Sequence, residues 1–205
     1  QHLLQPSSAV PVAHRPRARR RRITVVSVPV QILGVHVEQR SGAPIVLLGE
    51  LGDDGRVLPI FVGPAEANAI IVGLRGVRPP RPNTHDLLLA TLGVLDANLV
   101  GVDVTELRDG TFIAELEVER SGDSYRISAR PSDSIALAVR LDLPIFVAAD
   151  VLDAAGVGVE RGEDQPVDEE QVEEIIERFH DFIADADPSD FALEDEGEDD
   201  DEGDD

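Results

Sequence analysis

Residues 44–62, PIVLLGELGDDGRVLPIFV, hold the reading on which the fold turns. Two dense apolar runs, 44–51 and 57–62, flank Gly52-Asp53-Asp54-Gly55. Asp-Gly pairs readily take the positive-φ conformations that tight hairpin loops need, so the stretch reads as two antiparallel strands. Pro59 has no N–H to offer a neighbour, which puts its strand at an edge or a local irregularity. Upstream, Val28, Val30 and Ile32 share one face, and Leu33, Val35 and Val37 continue on the opposite parity. A switch of parity beside Gly34 indicates a β-bulge.

Working outward, Gly63-Pro64 opens a helix, with Pro at the favoured first position, and Gly76 closes it. A stiff loop follows, Val77-Arg78-Pro79-Pro80-Arg81-Pro82-Asn83. Thr84 then caps a second helix through Leu95, with Leu87, Leu88, Leu92 and Leu95 expected to face inward. Strand patterns occupy 99–107, 111–118 and 125–129, with turns at Asp109-Gly110 and Ser121-Gly122-Asp123. A third helix runs from about Ser132 to Leu141, then a short buried strand over 144–148 and a helical turn or two over 150–155. This succession implies an α+β class: a single domain (23–158) with a mixed, largely antiparallel sheet packed by three or four helices. After Gly162, Asp168 and Gln171 are spaced as a capping box. Val172, Ile175, Ile176, Phe179, Phe182 and Ile183 mark one face of a C-terminal amphipathic helix, within a linker-and-helix segment over 159–187.

The termini differ in kind. Residues 1–22 carry six Arg and no acid and read as a disordered leader. The run Arg19-Arg20-Arg21-Arg22 precedes an apolar stretch that alternates like a strand and is interrupted by Pro29, Gln31 and His36, so it is not read as a signal peptide. A chain that begins at Gln1 is expected to have a different or processed natural start. Residues 188–205 form an acidic tail, with ten acids in the last twelve positions, expected to be solvated and disordered. No apolar run is long enough to cross a bilayer, and the expected location is the cytoplasm.

Composition removes several chemistries. The chain has no Cys, so thiolate nucleophiles and Cys-based metal centres are out. All 18 basic residues are Arg, which excludes a Schiff-base or P-loop lysine. The net charge of −23 opposes a polyanion partner, whose affinity comes chiefly from cations neutralising phosphates. Any nucleic-acid chemistry therefore needs local Arg clusters or a bound divalent metal.

Two polar clusters stand at helix starts: Thr84-His85-Asp86 and Arg130-Pro131-Ser132-Asp133. Glu66 holds a similar place after Gly63-Pro64. Helix N-termini offer unpaired N–H groups and partial positive charge. His85 can serve as base or acid near neutral pH, and Asp86 and Asp133 can ligate Mg²⁺ or Mn²⁺. Arg78, Arg81, Arg130, Ser132 and Thr84 can bind phosphate. The same residues also make ordinary caps and ion pairs, and residue chemistry alone favours that plainer reading for the two clusters. His36 and His180 read as structural.

Four stretches carry a resemblance: Leu58-Pro59-Ile60-Phe61-Val62-Gly63-Pro64-Ala65-Glu66-Ala67, Arg81-Pro82-Asn83-Thr84-His85-Asp86-Leu87-Leu88, Asp109-Gly110-Thr111-Phe112-Ile113-Ala114 and Ala129-Arg130-Pro131-Ser132-Asp133-Ser134-Ile135-Ala136-Leu137-Ala138. In that order they resemble the bifunctional nuclease domain family over about residues 27–158, and 179–191 resembles the helical tail of bacterial members. One departure is Ser128, where an acid often stands in the family. The resemblance implies an α+β domain and a nuclease acting on RNA, DNA or both. Residue chemistry at these motif positions assigns His85, Asp86, Asp133 and Glu66 as catalytic, with Asp86 and Asp133 holding Mg²⁺ or Mn²⁺, and the protein is expected to form a homo-oligomer. A helix start disfavours a cation, which leaves a metal-free His/Arg route open. The alternative is a non-enzymatic binding or regulatory module acting through the C-terminal helix and acidic tail.

Overall fold

The computed structural model describes residues 26–51, 55–159 and 168–185, with side chains as far as Phe179 in the last segment. The leader over 1–22, turn residues 52–54, most of the linker, the side chains of His180, Phe182 and Ile183, and the tail over 188–205 lie outside the described residues.

Three strands come first: β1 (Ser27–Val37), β2 (Pro44–Glu50) and β3 (Arg56–Phe61). Helices α1 (Pro64–Leu74) and α2 (Thr84–Val94) follow, then β4 (Ala97–Arg108), β5 (Thr111–Arg120) and β6 (Asp123–Ala129). Last are α3 (Pro131–Leu141), β7 (Ile145–Ala148), α4 (Ala149–Ala155), β8 (Val157–Gly158) and α5 (Glu169–Asp185). One mixed sheet holds the strands in the order β6-β5-β4-β7-β1-β2-β3-β8. Among the described residues only β4 and β7 run parallel. This is the α+β single domain expected from the sequence.

Local chemistry explains the turns. Asp109 and Gly110 have φ of 49° and 70°, and Ser121 and Gly122 have 54° and 86°. Each pair joins its strands as a two-residue loop of the twist that hairpins favour. The β1–β2 register slips between Ile32 and Gly34, which leaves Leu33 as the bulge. A Cβ at Gly34 would sit 2.5 Å from His36 Nε2, so the glycine makes room for the imidazole. Burial holds His36 below its ordinary pKa, in keeping with a structural role. Pro59 pairs with Leu47 of β2, and β3 meets β8 only at Arg56 and Val57, so the missing N–H falls where β3 has no second partner among the described residues.

Both faces of β2 are covered. Val46 and Leu48 join the larger core with Leu58, Ile70, Leu137 and Leu152. Ile45 and Leu47 face the other way, with Val57 and Val157, under Val172, Ile175 and Ile176 of α5. Phe179 lies between Phe61 of β3 and Phe112 of β5, with ring centroids 6.1 and 6.2 Å away. Four strands separate β3 from β5 in the sheet, so the sheet must curl strongly for one ring to meet both. The described apolar face of α5 is thus spent on its own domain.

Helix α2 departs from expectation. Leu87, Leu88 and Leu95 are exposed, and no α2 residue is fully buried. Leu92 packs against the core as expected, and Leu89 joins it there. The helix carries leucine on most of its circumference, so its orientation is set by polar contacts with α3, those of Asp86 with Arg140 and of His85 with Asp133, and His85 shares the inward face at i, i+4 and i+7 with Leu89 and Leu92.

Candidate functional site

The first turns of α1, α2 and α3 line one hollow of about 500 Å³, bordered by Glu66, Asn68, Thr84, His85, Arg130 and Asp133. Each helix starts where its sequence allows. Gly63 and Arg130 are extended N-caps followed by Pro at the first helical position, and Asn83 is the N-cap of α2. Thr84, expected to be the cap, is the first helical residue instead. Three helix starts around one space supply positive potential where an anion would sit.

The side chains in this hollow are joined in series. His85 Nε2 lies 3.2 Å from Asp133 Oδ1. Arg130 donates to both oxygens of Asp133, Nε to Oδ2 at 2.7 Å and Nη2 to Oδ1 at 3.1 Å. Its Nη1 lies 3.1 Å from Glu66 Oε1. Partial burial alone would raise the Asp133 pKa, but hydrogen bonds from Arg130 and His85 outweigh it and hold the carboxyl below its ordinary value. The same carboxylates raise the Arg130 pKa, chiefly through the Asp133 hydrogen bond. His85 is mostly buried, while the Arg130 side chain is 65% exposed and can swing towards a ligand.

Asp86 is not in this hollow. Adjacent helical residues point about 100° apart, so His85 and Asp86 face different spaces. Asp86 accepts the Asn83 N–H at 2.9 Å, as the carboxylate of a capping box, and Arg140 Nε at 2.7 Å. The Arg140 hydrogen bond is the main cause of its lowered pKa. Asp86 and Arg140 line a second cavity of about 620 Å³ with Val72, Val77, Leu89 and Val139. Arg78 borders that cavity; Arg81 borders neither space; Ser132 is buried off the first hollow.

Sequence reasoning missed Arg140. It follows Asp133 by seven residues, two helical turns or about 10 Å along the axis, so one face of α3 serves both spaces. Its signal was a lone charge closing the apolar run Ile135-Ala136-Leu137-Ala138-Val139.

A Mg²⁺ or Mn²⁺ centre does not fit this donor set. Among the described residues no three His, Asp or Glu side chains are grouped so as to hold a cation. Asp86 and Asp133, the expected ligand pair, border different spaces, and each already receives an Arg.

The profile of the bifunctional nuclease domain matches residues 46–160, which contain all of these groups. The chain belongs to the bifunctional nuclease domain family. Similar proteins lie at two distances. An uncharacterized protein of Mycobacterium tuberculosis strain H37Rv, Rv1829, is 40% identical over 162 residues, covering 79% of this chain and 96% of that protein. Bifunctional nuclease 1 of Oryza sativa subsp. japonica is 29% identical over 114 residues, covering 53% of this chain and 34% of the rice protein. No helix among the described residues is long and apolar enough to cross a membrane.

Proposed function

We propose that the hollow at the three helix starts hydrolyses phosphodiester bonds in RNA or DNA. The reading rests on one observation: residues from three helices, Glu66, His85, Arg130 and Asp133, meet around a space large enough for a phosphodiester. Family membership and the rice relative's name support the reaction class.

The chemistry follows from the contacts. With the Nε2 proton directed at Asp133, the other ring nitrogen of His85 can accept a proton from the attacking water and later return one to the leaving oxygen. Asp133 holds the ring and stabilises its charged form. Arg130 leaves its carboxylates for the phosphate, with the Thr84 hydroxyl and the helix-start N–H groups as further donors. Arg78 and Arg81, on the loop leading into α2, meet phosphates further along the strand.

The test is purified full-length protein on RNA and on DNA, with Mg²⁺, with Mn²⁺ and with EDTA. His85→Ala should cost about 10²–10⁴-fold in rate. Asp86→Asn should retain activity, since its side chain faces the other cavity. Activity should survive EDTA; loss in EDTA would restore the metal route. Equal activity in the native protein and His85→Ala would identify a contaminant.

A second reading has its own support. Arg130 is tied to Asp133 and Glu66, so the ion pairs also serve as plain braces between α1 and α3. In a non-enzymatic binding module, recognition would then fall to segments beyond the domain, since the described face of α5 is occupied. On either reading we propose self-association through exposed Leu87, Leu88, Val94 and Leu95 of α2. Sedimentation should show an oligomer that Leu88→Glu dissociates; an unchanged mass counts against this face.

A further inference from the structure

We infer that the second cavity is a separate binding site for a small organic anion with an apolar body. Its walls are apolar, from Val72, Val77, Pro82, Leu89 and Val139, and its two cations are Arg78 and Arg140. A volume of about 620 Å³ is in the range of small-molecule sites.

The charges set the ligand class. Arg140 is buried, with 8% of its side chain exposed. Its Nε binds Asp86, and its Nη1 donates to the carbonyl oxygens of Ala69, at 3.0 Å, and Ala136. Its Nη2 is buried and has no hydrogen-bond partner. A buried guanidinium N–H without an acceptor is costly, and an anionic oxygen in the adjoining cavity satisfies it on a small movement. Arg78, which lines the cavity from the Pro-rich loop, makes no hydrogen bond or ion pair among the described residues. Asp86 offsets one of the two cations, so the cavity keeps a net positive charge inside a strongly acidic protein. An anion gains two guanidinium contacts there, and its body covers the apolar wall.

Gly73 supports a built site. A Cβ there would lie 2.4 Å from Val139 Cγ2 and 3.1 Å from Arg140 Nη1. The glycine lets α1 approach α3 closely enough for Arg140 to reach Ala69 and be locked in place. This site shares Arg78 with the phosphodiesterase reading but does not rest on that reading, because none of His85, Arg130 or Asp133 lines it.

The experiment is calorimetric titration of the full chain, without nucleic acid, using anilinonaphthalenesulfonate as the anionic probe and phenylnaphthylamine as the same body without charge. The sulfonate should bind one to one, and the uncharged compound about tenfold or more weaker, as expected for a charge-assisted contact. Arg78→Gln should weaken the sulfonate about fivefold or more and leave the uncharged compound unaffected. Val77→Trp, at an exposed loop position, should fill the cavity and abolish both. Methyl resonances of Val72, Leu89 and Val139 in the native chain should shift on titration, which needs no variant. No saturable binding, equal affinity for the two compounds, unaltered binding in Val77→Trp, or shifts confined to other methyl groups would each overturn the assignment.

Discussion

Asp86 shows how adjacent residues come to do different work. It follows His85 in a motif that reads as one catalytic pair, yet the 100° step of the helix turns it to the second cavity. What sequence alone can tell is that an acid at the third helical position favours capping, and Asp86 does accept the Asn83 N–H. What it cannot tell is that Arg140, fifty-four residues on, needs that carboxylate to offset its own burial. Removing the acid should therefore cost more than a cap. Asp86→Ala should destabilise the domain by about 3 kcal/mol, since a mostly buried guanidinium loses its charge partner. Asp86→Asn, which still accepts hydrogen bonds, should cost less. Urea denaturation reads both. The Asp86 carboxyl titrates below its ordinary value, so its contribution is intact above about pH 4 and fades as pH falls through the folded-state value, because the unfolded chain takes up that proton first. The gap between native and Asp86→Ala stabilities should accordingly close in acid.

Among the elements, the strands and their turns were legible because their signals are local. The turns at Asp109-Gly110 and Ser121-Gly122 and the parity switch at Gly34 depend only on neighbours, and each appears where its residues direct. Helix starts were legible to within one residue for the same reason, since Pro fixes the first position of α1 and α3. The facing of α2 was not legible: leucines at 87, 88, 89, 92 and 95 ring the helix, and the tertiary contacts of His85 with Asp133 and of Asp86 with Arg140 choose among them. The packing of α1 against α3 was also hidden, because it rests on the lack of a side chain. Gly73→Ala should push Val139 and Arg140 aside and cost about 1–3 kcal/mol through overpacking. Gly93→Ala, near the end of α2 with nothing within 4 Å of the added Cβ, should instead stabilise by about 0.4–1 kcal/mol. Denaturant midpoints that moved the same way in both variants would refute the close-approach role of Gly73.

At the scale of the molecule, charge and packing divide the C-terminal region into parts with different duties. The amphipathic face of α5 could have served a partner; it covers Ile45, Leu47, Val57 and Val157, with Phe179 reaching Phe61 and Phe112 across the curl of the sheet. Val172, Ile175, Ile176 and Phe179 are all nearly or fully buried there. At about 1.5–3 kcal/mol for each large apolar side chain, losing them removes an amount comparable to the whole stability of a small domain. A chain ending at residue 159 should thus fail to fold cooperatively, with the second faces of β2 and β3 laid bare. A chain ending at 185 loses only the last twenty residues, twelve of them acids, and should melt as the full chain does. If the tail competes with a polyanion for the Arg residues around the helix starts, that same truncation should raise nucleic-acid affinity at low salt, an effect that fades as salt screens the charges. The two truncations therefore separate support from screening: a folded 1–159 chain would show α5 to be dispensable to the domain, and unchanged affinity of the 1–185 chain at low salt would show the tail to play no part in access to the hollow.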